Sequence, residues 1–141
     1  MGVTMNHLPE SVLRGMRRTT EQRLIDERAI LVVLITRPEI TTAQTMLEES
    51  HFADVRHAEL FAALVACDSA MRPRKATDVT AILRRWQKYD GRLLRQVLGT
   101  DQRDVDIARF HLDWICQALR ESADQAHEIR AAVATLDRLS K

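Results

Sequence analysis

The sequence predicts an all-α protein, a compact bundle of about six helices with a long C-terminal helix or helical hairpin. Three observations carry that expectation. The 141 residues include only four Gly and three Pro, with neither after Thr100, and so few turn formers leave little room for the hairpins that many short strands require. Apolar residues recur at steps of three and four through most of the chain, the spacing of one helix face. Polar helix formers (EQRLIDER) lead into the longest apolar run, Ala29 to Ile35, which favours a helix there over a buried strand.

Taken in order, residues 1–19 read as an N-terminal arm: Pro9, Gly15 and the cluster Arg14, Arg17, Arg18 show no sustained period, although a short helix from Glu10 fits. The first firm helix runs from about Glu21 to Thr36 and is ended by Pro38. Because residues 29–35 are apolar all round, this helix belongs at the centre of the bundle. A shorter helix covers Thr42 to Glu49 with Thr41 or Thr42 as cap. Asp54, a good N-cap, opens a third that places Leu60, Phe61, Leu64 and Val65 on one face and closes by Pro73. A fourth begins near Thr77-Asp78, where Val79, Ile82, Leu83 and Trp86 follow an amphipathic pattern that puts Trp86 in the core. Past Gly91, the residues Leu93, Leu94, Val97 and Leu98 make another short helix, capped by Gly99.

The last element is the longest. Val105, Ala108, Leu112, Ile115 and Leu119 alternate steps of three and four, and Ala123, Ala126, Ile129, Val133 and Leu136 extend the seam. Over 37 residues an unbroken helix would reach roughly 55 Å, more than the core of such a domain. The expectation is a domain over 20–121 and an arm over 122–141 that either projects or folds back near Ser122. Both leave an apolar stripe in need of a partner.

Composition narrows the function classes. A net charge of +1 gives no global attraction to nucleic acid or membrane. Cys67 and Cys116 stand far apart in no metal-ligand spacing, which points to a reducing compartment without a disulfide framework. The apolar run is too short to span a bilayer and the N-terminus has no secretory h-region, so a cytoplasmic location and no membrane partner are expected. Phosphate-binding and nucleophile-elbow motifs are lacking. His51 and His57 are six apart and share no helical face; His57, His111 and His127 read as surface or interface residues rather than ligands. The acids Asp101, Asp104, Asp106 and Asp113 lack the Glu-x-x-His pair of a di-metal bundle and read as a solvated face. No metal, cofactor or catalytic residue is expected.

Charge is nevertheless segregated. Arg72, Arg74, Lys75, Arg84, Arg85, Lys88, Arg92 and Arg95 face only Asp78 and Asp90 between positions 72 and 95, whereas acids dominate from Gly99 to Glu128. Such opposed segments suit oriented docking to a partner or to another copy. Trp86 and Tyr89 lie within the basic segment, so a small nucleic-acid-binding protein is the alternative.

The stretch from Phe52 to Leu64 adds a resemblance. Phe52, His57 five residues on, then Leu60-Phe61 and Ala63-Leu64 resemble a pattern of the N-terminal domain of DnaB-type replicative helicases. Glu21 or Glu27 leading into Ala29–Ile35, and Asp78-Val79-Thr80 with Ile82-Leu83, are similar to the flanks of that pattern. The helicase-binding C-terminal domain of DnaG-type primases shares the fold, and its order of motifs is similar to Leu34-Ile35, Pro38-Glu39, Phe52, Asp54 and Leu60–Leu64. The resemblance covers about 21–121. It implies a compact six-helix domain, often followed by a helical hairpin, that acts by protein contact in DNA replication, with replicative helicase or primase as partner and the helicase collar side preferred. The chain departs from the family in carrying neither the ATPase motor nor the primase centre, and only Gly91 stands where the helicases have a Gly-rich turn.

Within that reading Phe52, Leu60, Phe61 and Leu64 are core. The candidate contact residues are Ile129, Val133 and Leu136, for a partner or for self-association, and Arg84, Arg85, Lys88, Arg92 and Arg95, as an electrostatic docking face. The bland rivals are packing of the terminal helix on its own domain and a solvated charged surface.

Overall fold

The computed structural model describes residues 20–140; the expected arm over 1–19 lies outside them. The described residues form seven α-helices and no strand: α1 (Thr20–Thr36), α2 (Thr42–Met46), α3 (Val55–Ser69), α4 (Ala76–Arg85), α5 (Gly91–Leu98), α6 (Gln102–Phe110) and α7 (Leu112–Leu139), with a 3-10 turn at Glu49–His51. The all-α bundle with a long C-terminal helix is therefore present.

Helix α1 is the axis of the packing. Every residue from Ala29 to Ile35 is buried, and α3, α5, α6 and α7 all lie against the helix. A helix apolar on all sides has to be covered on all sides; α3, α5 and α6 cover it with Leu60, Leu64, Leu93, Val97, Val105 and Ala108, while α4 packs on α3 and adds Val79 and Leu83 to the same core. Phe52 and Phe61 extend this core, their ring centroids 5.0 Å apart.

Local chemistry sets the starts of the helices. Asp54 accepts from the Arg56 N–H at 2.8 Å, Asp90 from the Arg92 and Leu93 N–H groups at 3.0 and 3.1 Å, and Asp101 from the Arg103 N–H at 2.9 Å. These are N-caps for α3, α5 and α6.

Several boundaries differ from expectation. The helix expected over Thr42–Glu49 stops at Met46, because the backbone extends at Leu47 to bury that side chain, and the 3-10 turn follows. Helix α4 starts at Ala76, just ahead of the expected Thr77-Asp78. It ends at Arg85 with Trp86 as its C-cap, whose N–H still donates to the Ile82 carbonyl at 3.0 Å, but the indole is 39% exposed rather than in the core. Gly99 follows α5 with φ −85°, so the helix ends without a left-handed residue. The terminal helix neither runs unbroken from the start of α6 nor folds back near Ser122: the break falls at His111 (φ −126°, ψ 39°), and α7 continues through Ser122 to Leu139.

Candidate functional site

The expected contact residues occupy two surfaces. Arg84 and Arg85 close the last turn of α4, Lys88 lies in the link, and Arg92 and Arg95 stand one turn apart on α5, opposite the buried Leu93 and Val97. All five are exposed. Lys88 Nζ is 3.6 Å from Glu59 Oε1, whereas Arg84, Arg85, Arg92 and Arg95 make no ion pair with any described carboxylate. Two aromatic rings lie among them. The Arg84 guanidinium sits 4.4 Å from the centroid of Tyr89, and Trp86 shares the surface. Gly91 lets Tyr89 fold down: a Cβ there would come within 2.9 Å of the Tyr89 hydroxyl oxygen.

The second surface is the outer part of α7. The buried residues of this helix, Leu112, Ile115, Cys116 and Leu119, all fall in its first eight positions. Beyond them Ile129, Val133 and Leu136 are 56, 51 and 65% exposed. The helix rises about 1.5 Å per residue, so the part beyond Leu119 is roughly 30 Å long. Along the seam foreseen in the sequence Ala123 and Ala126 are partly covered, whereas Ile129, Val133 and Leu136 stay exposed among the described residues.

Two charged residues have structural roles that the sequence did not disclose. Glu27 is fully buried. Its carboxylate accepts from the Ala53 N–H at 2.7 Å and the Asp54 N–H at 3.3 Å, and lies 2.8 Å from His57 Nδ1. Arg23 assists, its guanidinium donating to the His51 carbonyl at 3.1 Å. His57 is buried rather than on the surface: it fastens the entry of α3 to α1. Its Nε2 has no hydrogen-bond partner among the described residues. The other two histidines considered with it lie elsewhere, His111 at the α6–α7 corner and His127 on the exposed part of α7.

Arg74, grouped by sequence with the basic segment, is 2% exposed and belongs to the interior. Its Nε donates to the Leu34 carbonyl at 2.9 Å, Nη2 to those of Arg37 and Ile40 at 3.0 and 2.8 Å, and Nη1 to Asp68 at 3.0 Å. The guanidinium thereby satisfies the Leu34 carbonyl, which the end of α1 leaves without a helical partner, and holds the Arg37 and Ile40 carbonyls of the turn that follows. The only signal in the sequence was a cation beside Pro73, too weak to separate a buried clamp from a solvated charge.

Cys67 and Cys116 are free and buried; burial pushes the Cys116 thiol up to about 12, with the Asp113 charge adding to it, and burial raises Cys67 as well. Among the described residues no group of three His, Cys, Asp or Glu side chains is placed to hold a metal, and no helix is long and apolar enough to cross a membrane. An open cleft of about 700 Å³ lies at the α6–α7 corner beside Ile40, Phe110, His111 and Trp114. Comparison with known protein families, curated proteins and solved structures returns no match.

Proposed function

We propose that this chain is a non-enzymatic protein–protein interaction domain of the bacterial DNA replication machinery that couples replicative helicase and primase, with the helicase collar side preferred over the primase side. One observation carries the interaction role: the outer part of α7 keeps Ile129, Val133 and Leu136 on one stripe, exposed, while burying none of its own residues. A helix of this kind gains stability by laying its stripe into a groove or against another helix. The assignment to replication rests on the resemblance of the Phe52–Leu64 segment, and the roles of its members fit: Phe52, Leu60, Phe61 and Leu64 are core, and His57 fastens α3 to α1.

Size-exclusion chromatography of the purified chain with a cognate replicative helicase and a cognate primase tests the reading. Co-elution with one of them, abolished by Ile129→Asp with Val133→Asp, is the expected result. Failure of both to co-elute at tens of micromolar sinks it.

A further inference from the structure

The corner between α4 and α5 is accounted for neither by the core nor by the α7 arm. Within twelve residues it gathers Arg84, Arg85, Lys88, Arg92 and Arg95 against the single carboxylate of Asp90. Four of these cations have no carboxylate partner among the described residues. Trp86 and Tyr89 are 39 and 42% exposed, and the Arg84 guanidinium lies over one face of the Tyr89 ring. The backbone favours this display: Gln87 adopts φ 59°, which turns the chain sharply after α4, and Gly91 gives the Tyr89 ring room.

Unpaired cations attract a polyanion, and exposed rings beside them favour one that offers flat faces. A single nucleic-acid strand offers both, phosphates for the guanidinium groups and unstacked bases for the rings. In a duplex the base faces are already stacked on one another, so the rings would add nothing. An acidic protein surface would satisfy the cations but give no base for Trp86 to stack on. We propose that the α4–α5 corner binds single-stranded DNA, with Trp86 as the stacking platform, Tyr89 positioning Arg84, and Arg84, Arg85, Arg92 and Arg95 on the phosphates; the choice of DNA over RNA rests on the replication reading. This goes beyond the protein-contact role of α7 and does not depend on it.

Fluorescence anisotropy of the whole chain with a labelled oligothymidylate of about 20 nucleotides, the matching duplex and the matching oligouridylate, across a salt series, tests the proposal. Four phosphate contacts predict a slope of log K against log salt near −3, at about −0.7 per contact on a single strand. The DNA strand binds about tenfold tighter than duplex, Trp86→Ala weakens it about tenfold, and Trp86→Phe retains most of the affinity. Arg92→Gln with Arg95→Gln, both on the exposed side of α5, flattens the slope by about 1.4 and keeps the test decisive if the Trp86 variant folds poorly. Ile129→Asp leaves binding unchanged, so failure of the protein-contact role reads out separately. No binding, duplex bound as well as the strand, RNA bound tenfold tighter than DNA, or indifference to both the tryptophan and the arginine variants overturns the assignment.

Discussion

Glu27 shows what one buried charge can organise. Its two oxygens hold the N–H groups of Ala53 and Asp54 and the imidazole of His57, so the turn into α3 and the axis helix are tied through one carboxylate. Removing one partner of a buried pair leaves the other uncompensated, so Glu27→Ala is expected to cost about 3–5 kcal/mol in urea unfolding; a loss under 1 kcal/mol would mean that water replaces the side chain. Arg74 makes the same argument with opposite sign. Arg74→Lys keeps the charge but not the planar fork that reaches three carbonyls and Asp68 together, and it should destabilise by about 2–3 kcal/mol. Asp54 gives the fold a pH dependence. Burial raises its pKa, but the hydrogen bonds from the Arg56 side chain and backbone N–H, together with the nearby His57 and Arg56 charges, leave it below the ordinary 3.8. A carboxyl lowered in the folded state stabilises above its unfolded value and loses that stabilisation as pH falls through the folded one. The Asp54 contribution is therefore complete at neutral pH and disappears below about pH 4, and Asp54→Asn should flatten the acid limb of the stability profile. The cap at Asp54 was legible in the sequence, but the roles of Glu27 and Arg74 were not, since a Glu in a helix lead-in and an Arg beside a proline look the same whether solvated or buried.

At the scale of the element, helix type and core face were legible, and the ends were not. Periodicity found the buried faces of α3, α5 and α6 because burial repeats every three to four residues. It missed the break at His111 for a physical reason: Val105, Ala108, Leu112, Ile115 and Leu119 keep the same steps across it, since both helices face one core. No Gly or Pro marks that corner. The ends of α3 and α4 were equally hidden. Each closes with a non-glycine residue in the left-handed region, Met71 at φ 55° and Gln87 at φ 59°. The bonds are those of a Schellman motif, with Arg72 N–H to the Cys67 carbonyl and Lys88 N–H to that of Leu83, both at 2.8 Å. A side chain in that conformation carries strain of about 1–2 kcal/mol that glycine avoids, less the entropy glycine loses on folding. Met71→Gly and Gln87→Gly should each raise stability by about 0.5–1 kcal/mol, seen as a rise of a few degrees in thermal unfolding. Unchanged or lower midpoints would show that the turns relax instead. Met71 is the cleaner case, as its side chain is almost fully exposed and gives up no packing.

For the whole molecule, the division of labour was only half visible beforehand. The uncovered stripe on α7 was foreseen because a seam longer than its domain has nowhere to bury itself. At the α4–α5 corner the exposed cations were foreseen, whereas Trp86, counted into the core on its spacing, is 39% exposed. What results is a body stabilised around α1 and two proposed contact surfaces, made of side chains that the core does not bury. Outer α7 residues bury almost nothing, so Ile129→Asp with Val133→Asp should shift the unfolding free energy by less than about 0.5 kcal/mol. Arg92→Gln with Arg95→Gln should be as mild, since isolated exposed charges contribute little to stability. Combining all four substitutions sharpens the point. Sites that share no contacts combine additively, so the quadruple variant should lose partner co-elution as the α7 pair does, lose DNA affinity as the α5 pair does, and unfold within about 0.5 kcal/mol of the sum of the two. A larger departure, or loss of DNA binding from the α7 pair alone, would mean that the arm packs over the corner in solution and that the two surfaces work as one.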